Sequence, residues 1–111
     1  MEYEGRADVV RAKAYILEHW REKFDMEAVT AAAGRVNERQ LRRMFQEVTG
    51  LTPFGYYQKV KIEKIQERLM DSSLEIGEAF AACGVDSHGT YYRLFKEKTG
   101  MTPTEYRKGK Q

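Results

Sequence analysis

Asn37–Tyr57 reads NERQLRRMFQEVTGLTPFGYY, and most of it is written twice in this chain. Phe45-x-x-x-Thr49-Gly50-Leu51-Thr52-Pro53-x-x-Tyr56 returns 50 positions later as Phe95-x-x-x-Thr99-Gly100-Met101-Thr102-Pro103-x-x-Tyr106, with no gap between. The same offset sets Arg43 on Arg93, Leu41 on Tyr91, Gly34 on Gly84 and Met26 on Ile76. A fixed-period repeat outranks local propensity as evidence of architecture. Two copies point to a duplicated supersecondary unit, not to a solenoid.

Each copy has helical grammar. Leu41, Met44, Phe45 and Val48 fall at i, i+3, i+4 and i+7, one apolar stripe. The opposite face carries Arg39, Arg42, Arg43 and Gln46. Asn37 is a good N-cap, and Gln40 completes a capping box. Gly50 can take the left-handed conformation that ends a helix. Thr52 then caps a new helix with Pro53 at its first position. In the second copy Tyr91, Leu94 and Phe95 form the stripe, and Gly89, Tyr92, Arg93 and Lys96 lie opposite. Gly100 stops that helix, and Thr102-Pro103 with Glu105 starts the next.

A short apolar helix and a glycine precede each of these helices. The first runs from about Met26 to Ala33, with Asp25 as cap and Phe24 set to staple onto Val29. The second runs from about Ile76 to Cys83. A short helix, a glycine turn and a longer helix with a polar outer face is a helix-turn-helix unit, whose second helix enters the DNA major groove.

The remaining chain frames these two units. Residues 1 to about 7 read as a frayed end or a cut from something longer. Asp8 caps a helix of roughly Val9–Glu22, with Val9, Ala12, Ile16 and Trp20 on one side. Pro53 opens the longest helix, running to about Met70 and spanning about 27 Å. Its apolar residues Phe54, Tyr57, Val60, Ile62, Ile65 and Leu69 fit no single stripe, as expected of a helix that serves both lobes. Asp71-Ser72-Ser73 punctuates the chain, and a helix from Pro103 to about Lys108 closes it. No strand pattern appears, so the expected class is all-α: two helix-turn-helix lobes joined by a long central helix, about seven helices in all. The expected division is 8–52 for the first lobe, 53–71 for the linker helix and 72–109 for the second lobe.

Composition narrows the function. Apolar residues make up 41% of 111 positions, enough for a core, and no run approaches the ~20 that span a membrane. MEYEGRADVV lacks the apolar region of a signal peptide. The single Cys83 reads as a buried structural thiol. These features fit a cytoplasmic protein. The net charge of +2 says little, but its distribution says more. Arg35, Arg39, Arg42 and Arg43 cluster around the first long helix, and Arg93, Lys96, Lys98, Arg107, Lys108 and Lys110 crowd the C-terminal stretch. No nucleophile–base constellation or phosphate-cradling glycine loop is present, so no enzyme is expected. His88 has no Cys or His at ligand spacing, so neither metal nor cofactor is expected.

Arg93-Leu94-Phe95-Lys96 followed by Thr99-Gly100-Met101-Thr102-Pro103-x-x-Tyr106-Arg107 resembles the DNA-binding domain of the AraC/XylS family of bacterial transcription regulators. The resemblance covers roughly residues 8–108. It implies two lobes presenting recognition helices to successive major grooves. Carried over by position, the base-facing residues are Arg39, Arg42 and Arg43 in the first lobe and His88, Gly89, Thr90, Tyr92 and Arg93 in the second. Asn37, Gln46, Thr52, Lys96, Thr102 and Arg107 are expected at phosphates, helped by the helix N-termini at Pro53 and Pro103. Tyr92 reads equally as a surface tyrosine or as an apolar reader of thymine methyl groups.

This chain departs from the family pattern in places. Val85 stands where Phe is usual, and Ala79-Phe80 reverses the usual sizes. The first turn is one residue longer at Arg35. Lys61 and Ile65 stand where Arg and Ala are common. Gly89 offers no side chain to a base, so the second lobe is expected to specify fewer bases.

The resemblance implies a sequence-specific DNA-binding domain of a regulator, an activator by preference, that acts on double-stranded DNA as a monomeric domain, with RNA polymerase as a second partner and no membrane. The rival is a helical protein-interaction module using the basic face on an acidic partner. The chain reads either as a stand-alone regulator or as the excised C-terminal domain of a larger one, and its abrupt N-terminus favours the second.

Overall fold

A computed structural model describes residues 2–110, with side chains for 6–109. The helices are α1 (Glu2–Glu18), α2 (Met26–Ala33), α3 (Glu38–Thr49), α4 (Pro53–Leu69), α5 (Ile76–Ala82), α6 (Thr90–Thr99) and α7 (Pro103–Lys110). No strand occurs among the described residues. The chain divides between Val60 and Lys61 into two compact units, so the boundary falls inside α4.

The first unit contains α1, α2, α3 and the start of α4. Its core is Val9, Ala12, Ile16, Val29, Ala33, Leu41, Phe45, Tyr57 and Val60, all buried. Arg11 fastens α1 to α2. Its Nε donates to the Ala33 carbonyl at 2.7 Å, and its guanidinium also pairs with buried Asp8. Gly34 passes this pair with φ 131°, and an added Cβ would lie 3.0 Å from Arg11 Nη2. The conformation favours glycine there, and a side chain would also have to displace the Arg11 guanidinium slightly. In the turn after α1, the Glu22 carbonyl accepts the hydroxyl of Tyr57 from α4 at 2.5 Å.

The second unit repeats this plan. Its core is Ile62, Ile65, Leu69, Ala79, Phe80, Cys83 and Phe95. Lys61, only 1% exposed, donates Nζ to the Cys83 carbonyl at 3.1 Å, as Arg11 donates to Ala33. Arg107 of α7 donates Nε to the Leu69 carbonyl at 2.8 Å, the counterpart of the Tyr57 bond. Lys61 lies 50 positions after Arg11, Cys83 after Ala33 and Arg107 after Tyr57. The duplication therefore extends through both lobes. α4 closes the first unit with its N-terminal part and opens the second with the remainder. Tyr57 and Val60 lie on the first-unit side of the boundary, Ile62, Ile65 and Leu69 on the second, which is why its apolar residues fit no single stripe.

The repeated motif has a physical reason for nearly every letter. Thr49 Oγ1 lies 2.7 Å from the Phe45 carbonyl, and it accepts from the Leu51 N–H at 3.1 Å. Thr99 does the same with Phe95 at 2.8 Å and Met101 at 3.2 Å. Gly50 and Gly100 end their helices at φ 80° and 76°. The Phe45 ring meets Tyr56 edge-on at 5.5 Å, and Phe95 meets Tyr106 at 5.5 Å.

Several expectations need correction. α1 begins at Glu2 and ends at Glu18, so residues 2–7 are helical; Met1 lies outside the described residues. Asp8 is therefore inside the helix, where it pairs with Arg11 instead of capping. Glu, Arg and Ala favour helix and extend it past the cap signal. Val48 and Phe54 are 46% and 48% exposed. Periodicity draws a stripe along a whole helix, but only the part that another element covers is buried. Alongside these corrections, Phe24 sets its ring against Phe54 and Tyr57 at 5.2 and 5.3 Å and lines one cavity with Val29.

Candidate nucleic-acid interface

α3 is built to hold a polar face still. Asn37 Oδ1 accepts the Gln40 N–H at 2.8 Å, and Gln40 Oε1 accepts the Asn37 N–H at 3.1 Å, the expected capping box. Leu41 and Phe45 are fully buried, which fixes the rotation of the helix. Arg39, Arg42, Arg43 and Gln46 are then all exposed on the other side. Arg42 pairs with Glu38 at 3.3 Å, while Arg39 and Arg43 have no ion-pair partner among the described residues. The sequence reading passed over Glu38; its position four residues before Arg42 was the available signal.

α6 differs in how it begins. The Asp86 carboxylate accepts the His88 N–H at 2.8 Å, an Asx-type turn that keeps residues 86–89 out of the helix. His88 and Gly89 therefore precede α6, with His88 exposed in the turn and Gly89 as the N-cap residue. Gly89 has φ −101°, and an added Cβ would lie 3.8 Å from Asp86, so the fold does not require glycine there. Thr90, Arg93 and Lys96 are exposed, and Tyr92 is half-buried. Phe95 anchors the inner side.

The residues expected at phosphates are not equivalent. Thr52 Oγ1 accepts the Gly55 N–H at 3.0 Å, and the first turn of α4 carries no acid, so its positive end stands open to an anion. α7 is already supplied. Glu105 Oε1 accepts the Thr102 N–H at 2.9 Å and Thr102 Oγ1 accepts the Glu105 N–H at 3.2 Å. The backbone and side-chain bonds to Thr102 hold the Glu105 carboxyl below its ordinary pKa, with a smaller contribution from Lys96. A phosphate at α7 would meet that carboxylate. Arg107 is bound to the Leu69 and Asp71 carbonyls at 2.8 and 3.3 Å, which ties α7 to the end of α4. Asp71 is also held below its usual pKa, first by its bonds to Ser73. Among the described residues no group of three or more His, Cys, Asp or Glu side chains could hold a metal ion, and no helix is long and apolar enough to cross a membrane.

Two exposed basic helix faces, each rigidly mounted on a duplicated unit, form a pattern shared with known proteins. A family model for a helix-turn-helix domain matches residues 30–109. The chain belongs to the AraC/XylS family. It is 36% identical over 73 residues to the HTH-type transcriptional activator RhaR of Cronobacter sakazakii, a match covering 66% of this chain and 26% of that protein. It is 31% identical over 99 residues to the xylose operon regulatory protein of Escherichia coli strain K12, covering 89% of this chain and 25% of that protein. The fold is similar to the DNA-binding domain of AdpA, a global transcriptional factor solved in complex with a target DNA: TM-score 0.79, 28% identity, 91% of this chain and 90% of that one. It is also similar to the C-terminal domain of AraT, a response regulator from Geobacillus stearothermophilus, with TM-score 0.81, 28% identity, and 92% and 84% coverage. The chain spans about a quarter of the length of the RhaR and xylose-operon relatives. Its family is one of transcription regulators, not of enzymes.

Proposed function

We propose that this chain binds duplex DNA in a sequence-specific way and serves as the DNA-binding domain of a cytoplasmic transcription activator. The observation that carries this reading is the doubled unit: one chain holds two helices, α3 and α6, each buried on one side and basic on the other. Arg39, Arg42 and Arg43 read base edges in the first half-site, and arginine matches the O6 and N7 acceptors of guanine. His88, Thr90, Tyr92 and Arg93 read the second, with Tyr92 or Thr90 suited to a thymine methyl group. Asn37, Gln46, Thr52, Lys96 and the N-terminus of α4 hold phosphates. The faces differ, so a monomer reads an asymmetric, bipartite site. Residues 8–52 and 72–109 are its two readers and 53–71 their linker. RNA polymerase is the second partner that an activator requires.

The test starts by selecting bound duplexes from a random pool, followed by gel-shift titration of the winner across salt. One preferred sequence and a steep fall of affinity with salt are expected. Equal, weak binding to every duplex, alongside tight binding to acidic proteins, would replace this reading with a protein-interaction module.

A further inference from the structure

Glu38 is the first residue of α3, one turn before Arg42. Its Oε2 accepts from Arg42 Nη2 at 3.3 Å. The two side chains are 43% and 53% exposed; Arg42 belongs to the face assigned to DNA, and Glu38 stands beside it at the start of α3. An acid followed by a base four residues later is the favourable order on a helix. Exposed pairs of this kind nevertheless add little stability. The consequence to look for is orientation. A guanidinium offers five N–H donors in a rigid fork, and guanine presents two acceptors to it in the major groove. Bidentate contact uses two of the five donors and leaves the rest for a protein partner; Glu38 meets the fork at Nη2.

We infer that Glu38 is a specificity-determining, positioning residue of the first lobe. It holds the fork of Arg42 toward a base edge, and its own charge opposes the attraction of Arg42 to any nearby phosphate. The inference rests on the DNA-binding reading above and adds one residue to it. The offset of 50 places His88 where Glu38 stands and Tyr92 where Arg42 stands. No acid–arginine pair occupies those positions in the second lobe, so the device belongs to the first half-site alone.

The experiment compares the parent, E38Q, E38D, R42A and E38Q/R42A, each by duplex selection, salt titration and thermal melting. E38Q is expected to lose about tenfold in preference at one base pair of the first half-site, the scale of one bidentate contact. Its affinity for an unrelated duplex rises severalfold and its salt dependence steepens, because one negative charge has left the face. E38D keeps the charge but shortens the reach, so its non-specific affinity stays at the parental level while base preference falls. In the R42A background E38Q changes base preference no further, as a coupled pair requires. An even weakening on all duplexes with a lower melting midpoint would make Glu38 a helix-end residue only, and would overturn the inference. So would an unchanged selection profile, or an undiminished effect of E38Q on base preference without Arg42. If the parent prefers no duplex at all, the DNA reading itself fails and takes this inference with it.

Discussion

Lys61 is the residue whose chemistry and position are furthest apart. It is a charged side chain at 1% exposure, held by the Cys83 carbonyl at 3.1 Å and lying 5.9 Å from the centre of the Tyr91 ring. Contacts such as these offset part of the hydration that a buried lysine head group loses, and replacing such a group by an apolar side chain of similar volume is often close to neutral. The packed stem is therefore the main stabilising part. Lys61→Ala should cost about 2–4 kcal/mol through the cavity and the lost bond. Lys61→Met keeps the stem and should stay within about 1.5 kcal/mol of the parent. Urea unfolding checks both; equal losses would assign the stabilisation to the hydrogen bond instead. At the exposed extreme, Arg42→Ala and Arg43→Ala should leave helicity and melting unchanged, since both side chains point away from Leu41 and Phe45. Each should weaken the selected duplex by about 1–3 kcal/mol if it reads a base, relaxing one position. A phosphate contact would instead weaken all duplexes evenly and flatten the salt slope. Unchanged affinity in the double variant would remove the first lobe from the proposed mechanism. The arginine face was legible because periodicity alone sets it opposite a buried stripe. Lys61 stood out only as a departure from the family pattern, because no local pattern says that a lysine is inside.

Among the elements, α3 and α6 show how one motif yields two different helices. Their C-terminal ends match bond for bond, from Thr49 and Thr99 to the glycine stops and the edge-on aromatic pairs. Their N-terminal ends do not. Asn37 caps α3 with a capping box, whereas the Asp86 turn delays α6 until Thr90. Thus His88 and Gly89 approach any partner from a turn, while Glu38 and Arg39 approach from a helix. Phe45 and Phe95 are both fully buried, and each also meets the tyrosine of the following helix. Phe45→Ala and Phe95→Ala should each destabilise by about 3–5 kcal/mol, read by denaturant or thermal unfolding. DNA binding would then be lost through unfolding, and cooling should restore part of it. A variant that melts like the parent would show that its ring is not the anchor of its recognition helix. The caps and stops were legible because they are satisfied within a few residues. The delay of α6 was missed because Asp86 competes for the backbone just where the repeat led one to expect helix.

For the molecule as a whole, the proposal concerns one chain and two half-sites. α4 is 17 residues long, about 25 Å at 1.5 Å per residue, and it contributes to both units. One turn of DNA is about 34 Å. On the proposed two-reader mechanism the half-sites should lie on one face of the duplex, about 10 base pairs apart centre to centre. Inserting about 5 base pairs turns one half-site to the far side, and affinity should drop toward the non-specific level. Inserting about 10 should not restore it, because a continuous helix cannot stretch; bending of the DNA can offset only small mismatches. A gel-shift titration of the selected site and both insertions at fixed salt is the check. Equal affinity for all three duplexes would mean that one lobe alone reads sequence.

By itself the sequence determined what local chemistry can settle. The fifty-residue offset, the threonine–glycine–threonine–proline grammar and the apolar stripes were enough for two helix-turn-helix units, their glycine stops and the arginines on the outer face of α3. Each of those signals acts within one or two helical turns, so it can be read without knowing the neighbours. Only the tertiary structure decided which charged groups turn inward and which apolar groups stay out. Arg11 reaches Ala33, Tyr57 reaches Glu22, Lys61 reaches Cys83 and Arg107 reaches Leu69, all across more than twenty residues. Three of these side chains satisfy carbonyls at or just past the C-terminal end of a helix, and Tyr57 meets one in the turn after α1; such carbonyls must be hydrogen-bonded once the helices pack. The orphan carbonyls exist in any helix, but the partner that meets each one is set by packing. That is why the tie from Arg107 of α7 to the end of α4 could not be read from the sequence, and why α4 could be placed between two lobes before its faces could be assigned to either.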